Sequence, residues 1–158
     1  MGAINYGKNK DFVTLGYDTR ELNEEEDYVW VQDEYEQVKW MLDDFKSDNI
    51  KVSVESGYYE GFWIKIELTA NWFWNYNEKL QTLKNVTKLK KILLAILEDF
   101  SVVAVDSWWV STWYSKEDTI KKVKQSAIDL KNKIKKMYTD KTLPKNWFND
   151  NVANTREE

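Results

Sequence analysis

The stretch 50–68, IKVSVESGYYEGFWIKIEL, constrains the fold of this chain more than any other. Ile50, Val52 and Val54 alternate with Lys51, Ser53 and Glu55, and beyond a turn Phe62, Ile64, Ile66 and Leu68 alternate with Trp63, Lys65 and Glu67. Successive strand residues point to opposite faces, so a period of two on both sides of a glycine-containing connection predicts a half-buried β-hairpin. Gly57 and Gly61 bracket Tyr58, Tyr59 and Glu60, opening backbone conformations that other residues avoid. The apolar face of this hairpin organises the helices around it.

Phe12 to Tyr17 (FVTLGY) reads as a first strand, and the acidic stretch from Asp18 to Asp27 as a loop. Tyr28 to Val31 is compatible with either a strand or the start of the next helix. From about Gln32 to Ser47 the period becomes helical, with Tyr35, Val38, Leu42 and Phe45 on one stripe, and Asp48-Asn49 stops it before the hairpin. A second helix runs from about Glu78 to Phe100, burying Leu80, Leu83, Val86, Leu89, Leu93, Ile96 and Leu97 and turning Lys84, Lys88 and Lys91 outward. Val102 to Val110, rich in β-branched residues and tryptophan, predicts a fourth strand. Ser115 and Asp118 have the spacing of a capping box, with Asp in place of Glu or Gln. The helix they open runs to about Tyr138 on a seam of Ile120, Val123, Ala127, Leu130, Ile134 and Met137.

The order strand, helix, strand, strand, helix, strand, helix predicts an α+β fold. It is a single antiparallel sheet with three helices, ferredoxin-like: βαββαβ plus a C-terminal helix. With 158 residues and no internal repeat or linker, one domain is expected over 1–148. Residues 149–158 are expected to form a flexible tail, after Trp147 and Phe148 dock on the body.

Composition removes whole classes of chemistry. The chain has no Cys and no His, so disulfides, thiol nucleophiles, Ser-His-Asp triads and ordinary zinc sites are excluded. No Walker loop, dinucleotide fingerprint or calcium loop is present. The longest apolar run, Ile92 to Leu97, is too short to span a bilayer. The start MGAINYGKNKDF lacks the apolar core of a signal peptide, and Tyr6 stands where a myristoylation motif wants Ser or Thr. No catalytic residue, metal or cofactor is expected.

Charge is distributed unevenly. Between Asp18 and Asp48 twelve acids face only Arg20, Lys39 and Lys46, a balance of −9. Between Lys116 and Lys145 ten lysines face Glu117, Asp118, Asp129 and Asp140, a balance of +6. Solvated helix faces explain both in the plainest way. The sharper reading makes the acidic stretch a binding face for a basic partner, because clustered charge speeds encounter and penalises wrong partners.

Two other constellations are weaker. Tyr59-Glu60-Gly61-Phe62-Trp63-Ile64-Lys65-Ile66 echoes the aromatic motif of RNA-recognition modules, but Glu60 stands where a basic residue is needed. Glu55, Glu60, Glu67 and Asp106, beside Trp63, Trp72 and Trp74, are candidates for a carboxylate pair or a sugar-stacking surface. The cluster Trp108, Trp109, Trp113 and Tyr114 is either core or a contact patch.

The hairpin SGYYEGFWIKIE, with INYGKNKDFVTLGY upstream, resembles a group of small proteins carried by phages and mobile elements of low-GC Gram-positive bacteria. The likeness covers the N-terminal strand, the hairpin and, more loosely, the Lys-rich helix after it. It carries no assigned activity and transfers no functional residue. It implies a context: an accessory protein in the cytoplasm of a bacterial host cell, acting stoichiometrically by occupying a defence protein such as a CRISPR effector or restriction enzyme.

The expected function is therefore that of a non-enzymatic anti-defence inhibitor, of the anti-CRISPR kind. It would bind a host defence protein with a basic groove, as a DNA mimic. The expected contact residues are Glu21, Glu24, Glu25, Glu26, Asp27, Asp33, Glu34 and Glu36, with Tyr58, Tyr59 and Trp63 at the hairpin edge. Direct nucleic-acid binding through the Lys-rich final helix is the alternative, then carbohydrate or small-ligand binding at the Trp cluster. No membrane contact is expected.

Overall fold

The structure is a computed structural model and describes residues 11–17, 25–57, 61–69, 76–105 and 113–136. The hairpin is present as read. β2 (Ile50–Gly57) and β3 (Gly61–Leu68) pair antiparallel from Ile50 opposite Leu68 to Gly57 opposite Gly61. β1 (Thr14–Tyr17) pairs antiparallel with β3 on one side and with β4 (Val102–Val105) on the other. The result is one four-stranded sheet in the order β2-β3-β1-β4. Three helices complete the described elements: α1 (Glu25–Asp43), α2 (Tyr76–Asp99) and α3 (Lys116–Lys135).

The hairpin's period of two becomes a two-sided sheet. Phe62, Ile64 and Ile66 are buried in the main core with Leu15, Val102 and Ala104. Helices cover that face with Val38 and Leu42 from α1, Leu83, Leu89 and Leu93 from α2, and Val123, Leu130 and Ile134 from α3. Tyr35 of α1 meets Phe62 with ring centroids 5.8 Å apart and planes tilted by 54°.

α1 begins at Glu25, seven residues before the start of the clear helical period, so Tyr28 to Val31 are helix rather than strand. Glu25, Glu26 and Asp27 fall in its first turn, where negative charge complements the positive end of the helix dipole. The Ser115 cap forms as its spacing implies: Ser115 Oγ accepts from the Asp118 N–H at 3.0 Å. β4 is described only as far as Val105, and the expected extension to Val110 lies outside the described residues, as do Met137, Tyr138, Trp147 and Phe148.

The second sheet face is also closed at one point. Gly16 and Trp63 stand opposite each other in the β1–β3 ladder, and the indole of Trp63 lies over Gly16. A Cβ on Gly16 would come within 3.0 Å of Trp63 Cδ1 and 3.1 Å of the Phe62 carbonyl oxygen. Trp63, only 5% exposed, clusters there with Val105 and Trp113.

The β4 edge of the sheet is sealed. The Ala104 carbonyl, pointing away from β1, accepts from the Tyr114 N–H at 3.0 Å, and the Ala104 N–H donates to Thr119 Oγ1 at 2.8 Å. Lys116 Nζ donates to the Phe100 and Val102 carbonyls at 2.5 and 2.7 Å. The start of α3 thus supplies the partners that a fifth strand would have supplied. Thr119 is fully buried, so its loss strands a backbone donor.

Thr119→Val keeps the shape and removes the acceptor, and urea unfolding should show a loss of about 1–3 kcal/mol. Gly16→Ala should lower stability by about 1–3 kcal/mol in the same assay, because one contact is with backbone that cannot yield.

Candidate functional site

The inward stripe of α1 decides what its other side must carry. Val38 and Leu42 are buried, with Tyr35 and Phe45 half-buried beside them. At about 100° per residue, Trp40 falls on the opposite side of the helix, and Asp33, Glu36, Gln37, Asp43 and Asp44 all lie within about 60° of it. Every one of these side chains is exposed, and Trp40 is 72% exposed. The outer face of α1 is an indole set among four carboxylates.

The carboxylates are braced without being neutralised. Gln37 Nε2 donates to Asp33 Oδ2 at 2.9 Å and Gln32 Nε2 donates to Glu36 Oε2 at 3.2 Å. These partners are amides, which orient an acid and leave its charge in place. Among the described residues, none of Asp33, Glu36, Asp43 and Asp44 makes a salt bridge. Lys39 leans toward the Tyr35 ring instead, its Nζ 5.9 Å from the centroid.

Glu34 and Trp63 do not join this surface, and their expected role as exposed contacts is corrected. Glu34 is 7% exposed; its Oε1 accepts from the Ser101 N–H at 3.3 Å. Its charge also supports the Lys116 ammonium, whose pKa burial lowers and Glu34 raises, burial being the larger effect. Glu34 sits on the inward side of α1 because it is one turn before Val38. Trp63 is covered on the second sheet face, where Gly16 leaves it room. Phe62 faces the helices, so Phe62 and Trp63 are not adjacent aromatics on an open sheet face as in an RNA reader.

Of the other expected contact residues, Asp33 and Glu36 are exposed as anticipated, and Glu25, Glu26 and Asp27 lie on the helical backbone of α1. Glu21, Glu24, Tyr58 and Tyr59 lie outside the described residues, with Glu60, Trp72, Trp74, Asp106, Trp108 and Trp109. Sequence reasoning missed Trp40, Asp43 and Asp44 as site residues. The signal was available: Trp40 is the one large aromatic of α1's second half that breaks the Tyr35–Val38–Leu42–Phe45 stripe.

Several lysines of the final helix make contacts within the fold. Lys116 seals the sheet edge, Lys122 Nζ sits 4.2 Å from the Tyr114 ring centroid, and Lys133 pairs with Asp11. Asp11 in turn accepts from the Leu68 N–H at 2.7 Å through its other oxygen, tying the end of β3 to α3. Lys131 is buried and donates to Thr87 Oγ1, while Lys79 of α2 donates to the Lys135 carbonyl at 2.7 Å. These ammonium groups join elements of the fold. Lys121, Lys124 and Lys136 remain exposed.

Two of the better-formed hollows among the described residues lie beside α3 and α2. One, of about 360 Å³, is lined by Asp11, Phe12, Val13 and the Lys122–Asp129 side of α3. The other, of about 430 Å³, lies between the Lys46–Asn49 turn and α2. In the second, Asn49 Nδ2 donates to Thr82 Oγ1 at 3.2 Å, Asn85 Nδ2 to Ser47 Oγ at 3.1 Å, and Gln81 Nε2 to Asn85 Oδ1 at 3.1 Å. Those amides hold the turn onto α2. No cluster of acids able to hold a metal ion occurs among the described residues, and no helix there is long and apolar enough to cross a membrane.

The chain matches no protein-family model, no curated protein and no solved structure.

Burial pushes the Lys131 pKa down to about 8, aided by the neighbouring Lys90 charge. The unfolded chain then holds this proton more tightly than the folded one, so stability rises as pH climbs from about 8 toward the ordinary lysine value. Lys131→Met should flatten that rise, and at pH 7 it should leave the protein at least as stable as the parent, as urea unfolding at several pH values would show.

Proposed function

We propose that this protein is a non-enzymatic, phage-type anti-defence inhibitor, such as an anti-CRISPR, acting in the cytoplasm of a bacterial host. It binds a nucleic-acid-handling defence protein and occludes a basic groove. The contact surface is acidic and aromatic, and α1 presents it. One observation carries the reading: Trp40 is 72% exposed on a helix with ample apolar surface elsewhere, and the carboxylates around it make no salt bridge among the described residues. An exposed indole is a typical interface anchor, and truncating such a residue commonly costs 2 kcal/mol or more of binding, roughly thirtyfold in affinity.

The carboxylates of Asp33, Glu36, Asp43 and Asp44 suit a surface that normally receives phosphates. Mimicry of that kind gives fast, salt-sensitive association and rejects acidic partners. The scaffold we propose is ferredoxin-like. The order β2-β3-β1-β4 with antiparallel neighbours supports it: β3 separates β1 from β2, and β1 separates β3 from β4. Use of the sheet for RNA finds no comparable support, with Phe62 and Trp63 both buried.

Affinity capture from a host bacterium should return a DNA- or RNA-handling protein, and nucleic acid should compete with the inhibitor for it. Trp40→Ala should weaken that complex roughly thirtyfold by calorimetry with the fold intact by circular dichroism. Joint reversal of Asp33, Glu36, Asp43 and Asp44 to Lys should abolish both the binding and its salt dependence. Undiminished inhibition by both variants would sink the proposal.

A further inference from the structure

The two edges of the sheet are treated differently. The β4 edge is capped by Tyr114, Lys116 and Thr119. The β2 edge runs eight residues, without proline, and its outward backbone groups can be identified. The Thr69 N–H donates to the Asn49 carbonyl at 2.9 Å, so Asn49 points at β3, and by alternation so do Lys51, Ser53 and Glu55. The groups of Ile50, Val52 and Val54 therefore point away from the sheet, and among the described residues nothing bonds to them. A regular strand in this state is a template for another strand.

We propose that the occupant is a second copy of this chain, with β2 pairing antiparallel to β2 about a two-fold axis at Ser53. The register follows from charge. With the axis at Ser53, Lys51 stands opposite Glu55 of the partner subunit, and the symmetry repeats that pair. Val52 then stands opposite the partner's Val54, and these outward-pointing residues exchange the ladder hydrogen bonds. Lys51 and Glu55 fall at non-hydrogen-bonded positions, where Cα atoms approach to about 4.5 Å and side chains meet most closely. The neighbouring registers set Lys51 against Ser53 or Gly57 and lose both ion pairs. A lysine on an edge ordinarily blocks pairing; here one register supplies it with an acid.

Within its own hairpin Lys51 lies opposite Glu67, both exposed, yet the two form no ion pair. The Lys51 ammonium is thus available to a partner. The dimer would carry one eight-stranded sheet. Because α1 packs over β2 and β3, both copies of α1 would lie on the same face of it, flanking the axis.

Sedimentation velocity on the full chain across micromolar concentrations should show a reversible dimer. Lys51→Glu and Glu55→Lys should each raise its dissociation constant roughly tenfold or more, since each turns two attractive pairs into repulsive ones. The double variant K51E/E55K should restore the dimer. That reciprocal change leaves like charges at the Lys51–Glu67 position of the hairpin, so rescue reports the intermolecular pair alone. Val52→Pro should give a monomer with the parent's circular dichroism, because proline is tolerated where a strand's N–H faces outward. A parent that stays monomeric at 100 µM, roughly the top of that range, overturns the proposal. So does a dimer indifferent to Val52→Pro and to both charge reversals. If the parent is monomeric and Val52→Pro instead loses a captured target, the edge takes an extended segment of that target and self-pairing is excluded.

Discussion

The central strand β3 is buried on one face at Phe62, Ile64 and Ile66 and on the other at Trp63, and the placement of everything else depends on that. Phe62, Ile64 and Ile66 need a helical layer on one side, and Trp63 needs a glycine opposite it on the other. β1 satisfies both at once, because Leu15 faces the core while Gly16 leaves room for the indole. Two neighbouring residues of a four-residue strand therefore serve opposite faces. A side chain at Gly16 or a polar group at Leu15 would undo one layer without touching the other.

Polar and charged groups do much of the joining between elements. Thr119 and Lys116 complete the β4 edge, Asp11 links β3 to α3 through two acceptor oxygens, and Glu34 couples α1 to the chain entering β4. Each contact satisfies a backbone group or an ammonium that would be costly to leave unpaired on burial. Several lysines of the α2–α3 layer carry desolvation as the consequence, seen in the lowered pKa values of Lys79, Lys116 and Lys131. The described lysines of the final helix are divided between contacts within the fold (Lys116, Lys131, Lys133) and open solvent (Lys121, Lys124, Lys136), while Asp33, Glu36, Asp43 and Asp44 are all turned to solvent.

Much of the fold was legible because periodicity survives in the primary structure. The hairpin, the α2 stripe, the α3 seam and the Ser115 cap all follow from side-chain spacing, and each is present. The start of α1 was harder to read, since Tyr28–Val31 suits a strand as well as a helix and the acids before it look like loop. The candidate site was half legible: Asp33 and Glu36 were found, but Glu34 and Trp63 were assigned to the surface. Glu34 lies one turn before Val38 and so on the inward stripe, but its acid character hid that until Ser101 supplied a backbone donor. A tryptophan on the polar side of a hairpin is exposed by local pattern, and only Gly16, distant in sequence, leaves room for it inside.

The sequence by itself determined the elements, their order, and the absence of thiol, imidazole and disulfide chemistry, because these depend on residue identity and local spacing. Tertiary structure decided which charges are spent and which are free. It sent Lys131 into the α2–α3 interface, set Lys116 against a strand edge, and left Trp40 with its acids in water. It also closed one sheet edge and, among the described residues, left the other open along Ile50–Val54. The physical reason is that a charge or a backbone hydrogen bond is satisfied by whatever stands across from it in space. That partner is set by packing between segments as much as 122 residues apart along the chain, as Lys133 and Asp11 are.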